Sequence, residues 1–227
     1  MLDPSRNRHT KAETIELISN PELKAQAEAR NVLLQYDLAK EMVESGLGDG
    51  AIPFILRPRF ILQLHKQALD GIERFAGTFR NTPVEIGKSK HTPPESFDVS
   101  ELVQDMCTYI DGNRGEKTPL HLSAYAMWRL NWIHPFSDGN GRTSRIISYV
   151  VLCNEQGYWL PGNKTIPDMI SEHRAPYYNA LEAADEALRI TGEVDVSVLE
   201  EFLGDLLSRQ LVEVFGVATG EQMLDTD

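Results

Sequence analysis

The chain has 227 residues, of which 41% are hydrophobic and 25% charged, proportions typical of a globular protein with one sizeable core. Its formal net charge of −12 argues against nucleic acid as the main partner, because binding to a phosphate backbone requires a basic face. The two cysteines are far apart, so no disulfide framework is predicted. The N-terminus lacks an apolar signal region, and the apolar runs are far shorter than the ~20 residues of a membrane span. The sequence therefore predicts a cytoplasmic protein without a membrane partner.

The N-terminal part of the chain is predicted to be helical. A short helical patch is expected at about 12–18 within a polar segment. Capping residues and a proline at 19–22 then predict the start of a long amphipathic helix over about 21–45, which two glycines end. Helical periodicity resumes over about 58–75.

The helical pattern is interrupted over about 78–94. Prolines and a Gly-Lys-Ser turn surround a brief apolar alternation at Val84 and Ile86, which we interpret as a small hairpin or flap. Further helices are predicted at about 97–111, 119–132, 140–155, 173–190 and 196–213. The chain is therefore predicted to be nearly all α with one short β element.

The most informative segment is 134–145, which reads His-Pro-Phe-Ser-Asp-Gly-Asn-Gly-Arg-Thr-Ser-Arg. Arg142 and Arg145 lie three positions apart in the first turns of a predicted helix, where the dipole and unpaired N–H groups already create positive surroundings. Cations are disfavoured there, so the pattern indicates an anion bound between them. The glycines within 138–141 allow backbone N–H groups to converge on that anion.

Two residues add chemistry to this anion site. Asp138 offers a hard oxygen ligand for Mg²⁺, and His134 can take a proton from a hydroxyl that approaches phosphorus. The structural alternative is an N-cap at Ser137 or Asp138, a tight glycine turn, a helix-end histidine and arginines paired with nearby acids. Complementary residues at twelve contiguous positions favour a site for phosphoryl or nucleotidyl transfer.

The same segment matches the full signature of the Fic family, HPFx(D/E)GNGRxxR, and about residues 55–190 resemble a Fic core. Fic domains are all-α helical bundles with a β-hairpin flap, in agreement with the predicted elements. The resemblance implies a helical extension over 1–54, a core over 55–190 with its flap at about 78–94, and a C-terminal helix and tail over 191–227.

The resemblance also implies an activity. Fic enzymes typically transfer AMP from ATP to a Ser, Thr or Tyr hydroxyl of a protein, so the expected partners are ATP and a protein substrate or the chain itself. His134 would be the general base and Asp138 the Mg²⁺ ligand. The residues expected to bind the ATP phosphates are Gly139, Asn140, Gly141, Arg142 and Arg145.

Residues outside the motif receive roles through the same resemblance. Tyr177 and Tyr178 resemble a tyrosine pair near the nucleotide base in relatives, although two tyrosines on a helix are as readily core or surface residues. The exposed strand edge of the flap, around Val84, Ile86 and Gly87, would hold a target segment by β-augmentation.

The match is weakest at the self-inhibitory helix. Many Fic proteins carry the pattern (S/T)xxxE(G/N), whose glutamate pairs with the last arginine of the motif. If Asn31 takes the final position here, Arg30 occupies the glutamate position and cannot pair with Arg145. The sequence therefore predicts weak or absent self-inhibition, unless Glu28 or a separate partner supplies the contact.

The leading hypothesis is a protein adenylyltransferase that uses Mg-ATP. The alternatives are AMP removal, transfer of UMP, phosphate or phosphocholine, and a nucleotide-binding regulator or toxin-antitoxin component with low turnover. Gly141 favours AMP transfer, because relatives that transfer phosphate depart at that place, and a pure binder would not need His134. The leucines of the last helix would pack on the core or on a second subunit, and the second alternative would make the protein a homodimer.

Overall fold

The computed structural model describes residues 10–12, 14–48, 51 and 54–219, with the side chains of 217–219 outside the description. Within these residues the fold is mostly helical, and two short strands pair antiparallel, as the sequence predicts. The strands are β1 (Thr10–Lys11) and β2 (Glu85–Ile86). The helices are α1 (Pro21–Glu44), α2 (Pro58–Leu69), α3 (Val99–Gly112), α4 (Pro119–Ile133), α5 (Asn140–Gln156), α6 (Ile166–Glu172), α7 (Arg174–Thr191) and α8 (Ser197–Thr219).

Local capping chemistry sets the start of two long helices. The Asn20 side chain accepts hydrogen bonds from the backbone N–H groups of Glu22 and Leu23, at 2.9 and 3.1 Å, at the start of α1. The Thr118 hydroxyl accepts from the N–H of His121 at 3.0 Å and caps α4. A proline follows each cap at the first helical position, where its missing N–H costs nothing.

Helices α4 and α5 form the centre of the core. Trp128 of α4 and Tyr149 of α5 are fully buried, and the Ser123 and Ser148 hydroxyls lie 2.8 Å apart at the contact of the two helices. These small side chains let the backbones approach closely. The turn 134–139 therefore joins the two most buried helices, and the residues of the motif lie on a rigid support.

The C-terminal helix packs on this core. Leu199, Leu203 and Leu206 of α8 are buried, which corresponds to the first of the two alternatives given for its leucines. No helix in the described part of the chain is both long and apolar enough to cross a bilayer.

The N-terminal segment is extended, so the prediction of a helical patch at 12–18 is wrong for the residues described there. After β1, the backbone of Glu16 forms an isolated antiparallel bridge with Glu73, and the N–H of Leu17 donates to the carbonyl of Ile72 at 2.8 Å. These partners follow α2 in the sequence. Non-local pairing overrides the weak local helical preference of this segment.

The flap differs from the expected hairpin in the partner of its strand. Within the described residues it contributes β2, and the antiparallel partner is β1, with Thr10 opposite Ile86 and Lys11 opposite Glu85. Residues that follow β2 turn through Lys88, whose φ is 61°, so the chain leaves the sheet edge directly after the strand.

Helices α2 and α6 differ from the sequence prediction. Helix α2 ends at Leu69 instead of about 75, because Gly71 adopts a left-handed conformation with a φ of 70°, which an α-helix cannot continue. Helix α6 was missed, although Thr165 and Asp168 form a capping box whose spacing is visible in the sequence.

Candidate active site

His134 ends α4 in a left-handed backbone conformation, with φ 51° and ψ 58°. This conformation is strained for a residue with a Cβ, so neighbouring groups must hold it. The Nε of Arg80 donates to the His134 carbonyl at 2.8 Å, and its Nη2 donates to the Ile133 carbonyl at 3.3 Å. Arg80 thereby fixes the turn that directs the imidazole into the cavity.

Arg80 also connects the flap to this turn. Its Nη1 donates to the Thr82 carbonyl at 3.1 Å, and its Nη2 donates to the Pro94 carbonyl at 2.6 Å, near the two ends of the flap. Arg80 is only 6% exposed, and burial lowers the pKa of its guanidinium. All of these hydrogen bonds are donated to backbone carbonyl oxygens. Sequence reasoning missed Arg80, because a single arginine in a polar flap carries no signal.

The imidazole of His134 is oriented as a base. Its Nδ1 lies 3.3 Å from the carbonyl oxygen of Asn131, and its Nε2 lies 2.8 Å from the hydroxyl oxygen of Thr10. A carbonyl can only accept, so this contact places the ring hydrogen on Nδ1 and the free electron pair of Nε2 toward the hydroxyl. His134 is 5% exposed.

The Asn140 side chain closes the motif turn. Its Oδ1 accepts from the N–H of Phe136 at 2.9 Å, and its Nδ2 donates to the carbonyl of the same residue at 2.8 Å. The same Nδ2 lies 3.3 Å from the Thr10 hydroxyl oxygen. Asn140 therefore holds the loop and also faces the cavity, and its contact with ATP phosphate stays a prediction.

The two glycines of the motif leave space for different reasons. Gly139 has a φ of 72°, and a Cβ there would lie 3.0 Å from Leu69 Cδ1 and 3.3 Å from His65 Nε2. A Cβ at Gly141 would lie 3.4 Å from Nη1 of Arg145. The first glycine is required by the backbone, whereas the second leaves the arginine open to an anion.

His65 supports the loop from below and was missed in the sequence. Its ring stacks on Phe136 with centroids 3.6 Å apart. Its Nδ1 accepts from the N–H of Gly77 at 2.9 Å, so the hydrogen lies on Nε2, which donates to the Asp138 carbonyl at 3.0 Å. Burial lowers the pKa of His65 to about 4. A single histidine within α2 belongs to no recognisable motif, which is why it was missed.

This neutral histidine predicts a pH dependence of stability in the nucleotide-free and metal-free protein. Above pH 6.5, the ordinary pKa of a histidine side chain, neither the folded nor the unfolded state protonates His65. As the pH falls from 6.5 toward 4, the unfolded state binds the proton first, so the free energy of unfolding decreases by about 3 kcal/mol. Urea unfolding across this range should show that loss.

His65→Gln is the matched comparison for this prediction, because all carboxylates titrate equally in both proteins. The variant should be less stable at neutral pH, but its curve should fall by about 3 kcal/mol less over the same range. Parallel curves for the two proteins would contradict the assignment of this titration to His65.

The two arginines of the motif have different surroundings. Nη1 of Arg142 donates to the Ala68 carbonyl at 3.4 Å, at the C-terminal end of α2, and its Nη2 lies 3.3 Å from Oε1 of Glu28. Arg145 has no hydrogen bond or carboxylate partner within the described residues. Burial lowers the pKa of Arg145, the nearby Tyr177 opposes this as the next largest effect, and the charges of Arg174 and Arg142 lower the pKa further. An anion would supply the missing partner.

These side chains surround one cavity of about 260 Å³. It brings together all the predicted site residues of the motif, the two predicted tyrosines and one flap residue. They are His134, Asp138, Gly139, Asn140, Gly141, Arg142, Arg145, Tyr177, Tyr178 and Ile86. Arg174, at the start of α7, adds a third cation that sequence reasoning missed, because only the tertiary fold brings it to the motif.

Other predicted residues lie away from this cavity wall. Val84 and Gly87 of the flap are buried beside β2. Glu28 lines an adjoining cavity of about 390 Å³, on the other side of the two motif arginines. Arg30 donates to the Asn31 side chain, and Asn31 donates to the Asp70 carbonyl at 2.8 Å.

The tyrosine pair is only partly directed at the cavity. Tyr177 is 1% exposed, and its hydroxyl oxygen accepts from Nδ2 of Asn131 at 2.9 Å and lies 3.3 Å from the Ser144 hydroxyl. Tyr178 is half-buried, with its ring 5.3 Å from that of Tyr177. Tyr177 therefore supports the wall, and the adenine contact predicted for the pair stays a prediction.

Asp138 is suited to a metal ion that arrives with a substrate. Its Oδ1 accepts from the N–H of Gly139 at 2.7 Å, and the residue lines the cavity beside the arginines. The described residues contain no cluster of three His, Cys, Asp or Glu side chains that could bind a metal by themselves. One carboxylate with substrate phosphates and water is a usual environment for Mg²⁺, so the residues fit that ion.

The fold and the site define a helical domain in which a glycine turn, two arginines and a buried histidine surround one cavity, and solved structures share this fold. A Fic domain-containing signaling protein from Bacteroides thetaiotaomicron superposes with a TM-score of 0.72 over 91% of this chain and 78% of that chain, at 20% identity. BepC, an effector protein of Bartonella tribocorum solved with bound AMPPNP, superposes with a TM-score of 0.55 over 86% and 91%, at 12% identity.

Sequence comparison gives the family. Residues 55–152 match the Fic/DOC family, and through this segment the chain belongs to that family. It is also similar to the protein adenylyltransferase Fic of Aedes aegypti, with 32% identity over 165 residues that cover 71% of this chain and 29% of the relative. The chain spans about a third of the length of the curated relatives it matches.

Proposed function

We propose that this protein transfers AMP from Mg-ATP to a hydroxyl group of a protein. The observation that carries the proposal is the Nε2 of His134, which faces a hydroxyl at 2.8 Å in the cavity that Arg142 and Arg145 also line. The names of the curated relatives and the AMPPNP bound to BepC support the same chemistry.

The reaction needs a base, charge stabilisation and fixed geometry. Nε2 of His134 takes the proton of the acceptor hydroxyl, whose oxygen bonds to the α-phosphorus, and the bond from that phosphorus to the bridging oxygen breaks to release pyrophosphate. Arg142 and Arg145 stabilise the negative charge on the phosphates. Mg²⁺ bound at Asp138 would supply further charge neutralisation.

The acceptor segment is proposed to bind along β2. In this structure the edge of β2 already accepts an extended segment, and the residue opposite Ile86 reaches the base. Pairing through backbone hydrogen bonds places alternate side chains on one side of the sheet, so a single hydroxyl-bearing residue can be selected by its register.

The experiment that tests the proposal compares labels on ATP. Incubation of the purified chain with cell extract and ATP labelled on the α-phosphate should transfer the label to protein, whereas label on the γ-phosphate should not be transferred. Transfer of γ-label would indicate a kinase. Label transfer from UTP in preference to ATP would indicate uridylylation, and ATP binding with no transfer of either label would favour a regulatory binding role.

Self-inhibition by Glu28 is predicted to be weak. The Glu28–Arg142 pair lies 3.3 Å apart with side-chain exposures of 37% and 24%, and such solvent-accessible pairs contribute about 0–1 kcal/mol. Glu28→Gln should therefore increase the affinity for an ATP analogue by no more than about fivefold, as measured by calorimetry. Glu41→Gln, at an exposed position of α1, is the control. A gain of about a hundredfold would instead identify Glu28 as a strong inhibitor.

A further inference from the structure

The N-terminal segment occupies the edge of the flap strand. Thr10 pairs with Ile86 and Lys11 with Glu85 in antiparallel register, and Nζ of Lys11 lies 3.3 Å from Oε2 of Glu85. This is the geometry expected of a bound target segment, yet β1 belongs to the same chain. The register is determined by the pairing itself, so Thr10 directs its side chain at one fixed place in the cavity.

The Thr10 hydroxyl lies between two groups of the motif. Its oxygen is 2.8 Å from Nε2 of His134 and 3.3 Å from Nδ2 of Asn140. An amide nitrogen only donates, so the Thr10 oxygen accepts from Asn140 and its own hydrogen is directed to His134. A hydroxyl that donates to the catalytic base is in the arrangement required before proton transfer.

A purely structural role explains these contacts less well. Backbone pairing at two residues is enough to hold β1 against β2, so the strand does not require a polar side chain in the cavity. Thr10 nevertheless lines the cavity together with Arg142 and Arg145. Its hydroxyl is also close to residues predicted to bind the α-phosphate of ATP, Asn140 among them. The position is therefore one at which the nucleophile and the phosphate would meet.

We propose that Thr10 is the acceptor of AMP transfer within its own chain, an inference that rests on the proposed function. The Thr10 oxygen bonds to the α-phosphorus of ATP, its proton passes to Nε2 of His134, and pyrophosphate leaves with the electron pair of the broken bond. The product is an AMP phosphodiester on Thr10. A foreign target that pairs with β2 must first displace β1, so β1 also competes with other substrates.

The test uses the full chain alone with Mg-ATP. Intact mass spectrometry should show the addition of one AMP, and peptide mapping should place it on Thr10. Thr10→Val should lose the adduct, and Thr10→Ser should retain it because serine keeps the hydroxyl. Thr14→Val, an exposed threonine of the same segment, should leave it unchanged. The rate per chain should not depend on protein concentration, as expected for transfer within one molecule.

The outcomes separate this inference from the proposed function. If extract proteins accept AMP while the chain itself carries none, or carries it elsewhere than on Thr10, the inference is wrong and the function stands. A rate that rises in proportion to concentration would show transfer between chains and overturn the intramolecular step. If neither the chain nor any extract protein accepts AMP, the proposed function itself fails.

Discussion

Substitution of His134 by alanine is expected to lower the rate of AMP transfer by about 10²- to 10⁴-fold, while ATP binding stays nearly unchanged. The substitution removes the nitrogen that lies 2.8 Å from the Thr10 hydroxyl oxygen, whereas the arginines proposed to bind phosphate remain. His134→Ala also removes the contact with Thr10, so a modest loss of order in β1 is expected with it.

Single-turnover labelling would measure the transfer rate, and calorimetry with a non-hydrolysable ATP analogue would measure binding. His173→Ala is a suitable control, because that histidine is exposed at the end of α6 and does not line the cavity. Equal losses of binding and transfer in His134→Ala would contradict a role as base, since they would mean that the site no longer forms.

The second large effect is expected at Arg145. Arg145→Met should lower AMP transfer by about 10²- to 10³-fold, the cost of removing one donor that stabilises charge in a transition state. Lysine should restore little of this, because it lacks the planar fork that matches two phosphate oxygens. The same change should weaken binding of the ATP analogue.

Although it loses activity, the Arg145→Met protein is expected to be more stable than the unsubstituted protein when no nucleotide is bound. In the described residues this partly buried guanidinium has no carboxylate partner, and burial lowers its pKa, so its charge opposes folding in the absence of ATP. Urea unfolding of the nucleotide-free variant should show a gain of about 1 kcal/mol. Arg209→Met, at an exposed position of α8, should change neither property. A destabilised Arg145→Met protein would mean that the arginine holds the core together.

The motif could be located from the sequence because its parts are contiguous. A helix end, a glycine turn and a helix start follow one another over 134–145, so local rules already place the histidine, the aspartate and the arginines around one turn. The structure adds the reason that the turn is rigid, since α4 and α5 are the most buried helices and Asn140 closes the loop against Phe136.

The supporting residues could not be found in the same way. Arg80 and His65 contact the motif only because the flap and α2 fold against it, and neither belongs to a recognisable local pattern. The weak helical pattern at 12–18 was misleading for the same reason, because backbone pairing with distant residues determines that segment.

The sequence by itself determined the helical class, the family resemblance and the residues of the motif, because periodicity, caps and a contiguous turn are local properties. Only the tertiary structure decided which groups meet at that turn. It placed Arg174 on the cavity wall, directed Glu28 to Arg142 and put the Thr10 hydroxyl on His134. Contacts between residues far apart in the chain depend on how helices pack and strands pair, and neither is encoded in a local pattern.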